Sequence, residues 1–148
     1  MKPIYAVLAI LFVLTLSAQC QNSTDDLIAE GNELIKQGRY NEAVATIDEA
    51  IGIDPLYSLA WSFKCYALDS MGRHDEAMLA CDRAIELASN SSYAWCFRGF
   101  VLINLSRHDE AEMAFNRSLE LDPKNSLAMS GKGLAQLYQG RMLESIDT

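Results

Sequence analysis

The sequence predicts an all-α solenoid, an α-α superhelix built from stacked helix pairs. Two observations carry the prediction. The first is a 34-residue period: Trp95, Gly99, Leu102, Arg107, Ala111, Phe115, Leu121 and Pro123 fall in the same columns as Trp61, Cys65, Leu68, Arg73, Ala77, Cys81, Leu87 and Ser89, and as Leu27, Gly31, Leu34, Arg39, Ala43, Ile47, Ile53 and Pro55. Met129, Gly133, Gln136, Arg141 and Ser145 continue the register. The second is that each period holds two runs of helical apolar spacing separated by a breaker, and runs of about 12 to 14 residues need neighbours to be stable. A fixed period of this length is the mark of a repeat architecture in which contacts are made mainly between neighbours.

The period divides the chain into units at 24–57, 58–91 and 92–125, followed by a partial unit at 126–148. Ahead of them stands a different segment. Lys2 precedes an unbroken apolar run from Ile4 to Leu14 and then the small residues Ser17 and Ala18. This is the layout of a secretory signal, assigned to residues 1–20, and it falls short of the roughly 20 apolar residues of a membrane span. Leu16-Ser17-Ala18-Gln19-Cys20 loosely matches a lipoprotein box, although Gln19 departs from the small residue wanted before the Cys. The expected location is therefore outside the cytoplasm, with membrane association only if this segment is retained or Cys20 is lipidated.

In the first unit, Leu27, Ile28, Leu34 and Ile35 give a helix from Asp25 to about Gln37, and Gly38 stops it. Asn41 and Glu42 open its partner, whose apolar side is Ala43, Val44, Ile47, Ala50 and Ile51, ending at Asp54-Pro55. In the second unit Ser58 is placed as the cap of a helix from Leu59 to Met71, Gly72 breaks it, and Asp75-Glu76 starts a helix through Ala77, Cys81, Ala84, Ile85 and Leu87. Ser89-Asn90-Ser91 replaces the closing proline turn. The third unit runs from Ser92 to Leu105, turns at Ser106, and continues from Asp109-Glu110 to Asp122-Pro123. The fourth runs from Ser126 to Gln139 and is expected to break at Gly140. Ala43, Ala77 and Ala111, opposite Gly31, Cys65 and Gly99, allow close approach within a pair, while Trp61, Trp95 and Phe115 are assigned to the wider gaps between pairs.

Cys65, Cys81 and Cys96 lack the CxxC spacing of a zinc or redox site and lie in apolar or small columns. They are read as free, buried small hydrophobes. Cys65 and Cys81 face each other across the helices of one unit, so a disulfide is the alternative.

With its 34-residue period, Trp95, Gly99 four residues later, Ala111, Phe115 and Pro123, the chain resembles the tetratricopeptide repeat family. The resemblance covers about 24–148; Leu27 and Met129 for Trp, Cys65 for Gly, Cys81 for Phe and Ser89 for Pro depart from the pattern. It implies a TPR-like solenoid, a right-handed superhelix whose first helices line a concave groove, and a docking surface for a peptide or protein. It also implies which columns face the groove: Asp25, Ile28, Asn32, Ile35 and Lys36 in the first unit, Leu59, Ser62, Tyr66, Asp69 and Ser70 in the second, Tyr93, Cys96, Phe100, Ile103 and Asn104 in the third, and Leu127, Ser130, Leu134, Leu137 and Tyr138 in the fourth. Some members clamp a C-terminal carboxylate with Lys, Asn and Arg. Here only Asn32 and Lys36 are offered, so the candidate anchors are Tyr66, Tyr93, Phe100 and Tyr138, with Asn32, Lys36, Leu134 and Leu137 as further partner-binding candidates, and the expected ligand is an unidentified peptide or protein with an extended apolar segment. The alternative is an exported structural protein that self-associates, as a homodimer, through Leu134, Leu137, Tyr138 and Met142 at the C-terminal edge.

Other functions have little in the sequence to rest on. Twenty acidic residues against twelve basic ones give a net charge of −8, which disfavours nucleic acid. His74 and His108 both begin His-Asp-Glu-Ala, but they are one period apart and share a column with Tyr40 and Met142, so they read as packing positions. No phosphate loop, metal motif or nucleophile elbow is present, and no catalytic residue or cofactor is assigned. Four Asn-x-Ser/Thr sequons begin at Asn22, Asn90, Asn104 and Asn116; the first two lie at joints open to a glycan, and the last two are read as chance.

Overall fold

The structure is a computed structural model describing residues 23–146, with side chains described for residues 23–140. The signal segment, Cys20, Asn22 and the Met142 side chain lie outside them. Seven α-helices and no strand are present among these residues: α1 (Thr24–Lys36), α2 (Tyr40–Ile53), α3 (Ser58–Ser70), α4 (His74–Leu87), α5 (Ser92–Asn104), α6 (His108–Leu121) and α7 (Ser126–Ile146). First helices thus start 34 residues apart. The first three, α1, α3 and α5, each pack on their own second helix, and each second helix packs on the next first helix. First helices also touch one another, α1 with α3, α3 with α5 and α5 with α7, whereas among the described residues successive second helices do not. The stack is shorter on the first-helix side and curves toward it.

Backbone chemistry sets the turn inside each pair. Gly38, Gly72 and Ser106 have φ of 74°, 76° and 60°. In each case the next amide reaches back to the helix: Arg39 to Leu34 (2.9 Å), Arg73 to Leu68 (3.0 Å) and Arg107 to Leu102 (2.8 Å), while the left-handed residue itself bonds Ile35, Asp69 or Ile103. This is the Schellman pattern, in which a left-handed residue satisfies the last carbonyls. Glycine does so without steric cost; Ser106 bears a Cβ in that region. The arginine after each turn then forks onto the glutamate three residues on, as in Arg73 Nε to Glu76 Oε1 (2.7 Å) and Nη2 to Oε2 (2.6 Å), repeated at Arg107–Glu110 and Arg39–Glu42. These pairs are solvent-exposed and orient the turn more than they stabilise it.

Three expectations about local structure are corrected. Ser58 does not cap α3 but is its first residue: the turn closes through Tyr57 N–H to Asp54 O (3.2 Å), Tyr57 stands at the cap position without a side-chain bond, and the Ser58 carbonyl accepts from Ser62 Oγ (3.0 Å). Ser23 and Asp26 instead form a capping box at α1, satisfying amides that a helix start leaves open. Gly140 does not break α7, which runs on to Ile146. An interior glycine costs a helix only about 1 kcal/mol, too little to force a turn by itself. Finally, Trp61 and Trp95 are half-buried and brace the joints, donating their indole N–H to Pro55 O (2.9 Å) and Ser89 O (3.0 Å).

The core lies along the crossings within and between pairs. Ala43, Ala77 and Ala111 are fully buried, as are Ile47, Cys81 and Phe115. A Cβ built on Gly31 would come within 2.7 Å of Ile47, and one on Gly99 within 2.7 Å of the Phe115 ring. Gly131 also faces Phe115, so this ring is locked between two glycines, one on α5 and one on α7. Gly133, one period on from Gly99, has open space instead. Gly131→Ala is therefore expected to destabilise by about 1–3 kcal/mol through overpacking, and Gly133→Ala to be neutral or to stabilise by up to about 1 kcal/mol through helix propensity. Urea melts of the two variants check the opposite signs.

Candidate functional site: the aromatic first-helix face

Helices α3 and α5 carry the side chains that mark the inner face. Tyr66 on α3 stacks on Phe97 of α5 with ring centroids 5.0 Å apart and planes 12° from parallel. Phe97 is buried, and Tyr93, one turn earlier, packs against it at 6.0 Å while remaining 52% exposed. Phe63 closes the group from below, also at 6.0 Å. Two of the predicted anchors, Tyr66 and Tyr93, are thus joined through a ring absent from the predicted columns. Burial pushes the Tyr66 phenol up, with Tyr40 and Asp69 adding in the same direction, so it remains a neutral hydroxyl at physiological pH.

The other predicted positions are separate from this cluster. Asn32 is half-buried on α1, and Lys36 is exposed at the end of that helix, its charge directed to Glu33 at 3.3 Å. Asp25 accepts from the Tyr57 hydroxyl at 2.6 Å, tying the start of α1 to the first joint. Phe100 meets Phe115 edge-on at 5.0 Å. Leu134 packs half-buried against the same cluster, Leu137 is 50% exposed, and Tyr138 stacks on His108 at 5.2 Å.

A polar junction lies beside the aromatic rings. Asp69, the only acid in α3 and 8% exposed, receives both its oxygens' bonds from Asn104 Nδ2 (3.0 and 2.9 Å) and pairs with His74 Nδ1 at 2.7 Å. Three helices, α3, α4 and α5, meet on this carboxylate. Sequence reading placed Asp69 and Asn104 among the groove columns without pairing them; the available signal was a lone acid at an otherwise apolar helix end. In the next repeat Ile103 replaces Asp69, and His108 Nδ1 is buried without a hydrogen-bond partner among the described residues. The two histidines of this column differ in their surroundings: His74 bonds a carboxylate, whereas His108 stacks on Tyr138.

The expected free cysteines are corrected in part. Cys65 and Cys81 form a disulfide between α3 and α4, their Cα atoms 5.2 Å apart, within the range a bridge requires. The reason is columnar: these positions face each other where Gly31 meets Ile47 and Gly99 meets Phe115, so two thiols there come together at the closest point of the crossing. Cys96 remains free and buried, and burial alone pushes its thiol up to about 12, leaving no thiolate to react at neutral pH.

On the outer side, Trp95 and Arg98 border two open clefts of about 360 and 240 Å³, one completed by Asp82, Ile85 and Glu86, the other by Glu110, Met113, Ala114 and Arg117. Arg98 spans them, bonded to Asp82 at 3.1 Å and lying over the Trp95 ring. Among the described residues no group of three or more His, Cys, Asp or Glu is placed to hold a metal ion, and no helix is long and apolar enough to cross a membrane.

Comparison with known proteins agrees with this geometry. The profile of the tetratricopeptide repeat family matches residues 28–92, and a second profile of that family matches 92–125. No curated protein sequence matches the chain. Among solved structures, the first TPR domain of human RPAP3 is similar at 24% identity and a TM-score of 0.75, over 82% of this chain and 96% of that one. The Sgt2 TPR domain from Aspergillus fumigatus is similar at 20% identity and a TM-score of 0.73, over 86% and 83%. The second TPR domain of human RPAP3, solved in complex with the HSP70 peptide SGPTIEEVD, is similar at 27% identity and a TM-score of 0.65, over 77% and 92%.

Two measurements test the site's internal chemistry. Asp69→Ala removes one partner from each of two side chains and is expected to cost about 1–3 kcal/mol, read as a lowered urea midpoint. Titration of the described thiols in the unreduced, native protein is expected to find none reactive, and denaturation without reductant to release Cys96 alone.

Proposed function

The chain belongs to the tetratricopeptide repeat family, and from that premise we propose that it is a non-enzymatic docking module whose first-helix face binds an extended peptide or protein segment with apolar side chains. The observation that carries the reading is the Tyr66–Phe97–Tyr93 stack. Its central ring is held by packing, its outer ring is half exposed, and its two tyrosines carry hydroxyls able to bond a peptide backbone. Rigid aromatic side chains that present area at little entropic cost are the usual source of interface energy. The HSP70 peptide held by the second RPAP3 domain ends in Glu-Glu-Val-Asp. Here Lys36 is already directed to Glu33, and the chain is acidic, so an apolar segment fits this face better than an acidic tail.

A second reading, self-association, is favoured by α7. Met129 and Leu137 are 51% and 50% exposed and flank the open Gly133, so a face that packs a second helix in every earlier repeat is uncovered here among the described residues. For location, we infer an exported, extracytoplasmic protein: the leader-like segment and a structural disulfide both fit an oxidising compartment.

Tyr66→Ala with Tyr93→Ala is the test of the docking reading. In capture from the envelope or secreted fraction of the native cells, the double variant is expected to lose a partner retained by wild type, with an unchanged circular dichroism spectrum and a cooperative melt. Unchanged capture places the contact elsewhere. A dimer by light scattering that Leu137→Arg converts to monomer, with no partner in either state, favours self-association.

A further inference from the structure

We propose that Asn90 is a site of N-linked glycosylation, at the joint between α4 and α5. The proposal rests on the extracytoplasmic reading above. Asn90-Ser91-Ser92 is a complete acceptor sequence, and Asn90 occupies an exposed turn closed by Ser91 N–H to Ala88 O at 3.0 Å. Its counterparts one period either side, Leu56 and Lys124, are exposed as well, and Leu56 is 68% so. This column therefore projects into solvent at all three joints, and a bulky substituent there displaces nothing. The joint is held from behind by Trp95, whose indole N–H bonds the Ser89 carbonyl at 3.0 Å.

The other described sequons differ in ways that matter to the chemistry. The Asn104 amide nitrogen is committed to both oxygens of Asp69. Asn116 is half-buried within α6. Of the three described sequons, only that of Asn90 has its amide in solvent on a turn, the position at which a glycan is compatible with the fold.

The transfer is a substitution at carbon. Asn90 Nδ2 forms a bond to C1 of a sugar carried on a lipid phosphate or pyrophosphate, the C1–O bond to that phosphate breaks, the lipid phosphate leaves with the electron pair, and one amide proton is lost. Nothing is oxidised or reduced. The donor is a lipid-linked oligosaccharide, and the catalyst is the transferase of the exporting cell. The fold also constrains the timing. In the finished structure the Ser92 hydroxyl, the third element of the acceptor, receives the Asn125 amide at 2.9 Å and lies 2.9 Å from Ser118 Oγ. It is free only before α6 and α7 dock on α5, so the modification precedes completion of the third repeat.

Peptide mapping by mass spectrometry of the protein purified from the cells that make it decides the matter. The expected result is a peptide spanning Asn90 with a glycan mass increment, lost in Asn90→Gln and kept in Ser92→Thr, with Asn104 bare. A bare Asn90 in protein recovered outside the cytoplasm with Cys65 and Cys81 oxidised overturns the site and leaves the export reading standing. Protein confined to the cytoplasm with both cysteines reduced overturns the two together.

Discussion

The close crossing of the two helices within each repeat is the constraint on which the structure depends. One pair of columns meets there in three repeats: Gly31 with Ile47, Cys65 with Cys81, and Gly99 with Phe115. A residue from the following repeat completes the volume. Phe63 packs against the cluster holding Ile47, Phe97 lies in the cluster holding Cys81, and Gly131 faces Phe115. Large and small exchange places: where the second helix offers a phenyl ring the next repeat supplies a glycine, and where it offers a cysteine the next repeat supplies a phenylalanine. Interiors packed to crystal-like density require such compensation.

That exchange links the interior to the inner face. Two sulfurs occupy less space than an aromatic ring, so Phe97 turns into the crossing of the second repeat, and its ring becomes the support on which Tyr66 and Tyr93 rest. Asp69, at the far end of α3, ties that helix to α5 through Asn104 and to α4 through His74, so the shelf is backed by a covalent bond between α3 and α4 and by a carboxylate that all three helices share.

The architecture was legible in the sequence because a 34-residue period survives single substitutions: Leu27 for Trp or Ser89 for Pro changes one column while the register of all others persists. Tyr66 and Tyr93 were legible for the same reason. What escaped the reading depends on pairwise geometry. Phe97 lies outside the groove columns, and its stacking with Tyr66 and Tyr93 is a contact between helices that no column assignment contains. The disulfide needed two Cβ atoms to face at contact distance, which spacing permits but does not require. Gly140 was misjudged because Gly38 and Gly72 do end helices; they do so in turns that fold a second helix back onto its partner, with the glycine at positive φ, whereas α7 continues through its glycine. Residue type alone does not contain that difference.

The Cys65–Cys81 bond joins residues only 16 apart, both within one repeat. A solenoid pulled from its two termini peels repeat by repeat, since each unit is held chiefly by its neighbours. Here the middle unit could lose all its packing and still withhold a loop of about 50 Å of contour length, at roughly 3.4 Å per extended residue. Under tension, the chain would lengthen by releasing its outer repeats while the centre kept a closed ring of backbone. The inner aromatic face would then be anchored to a part of the chain that force cannot fully straighten.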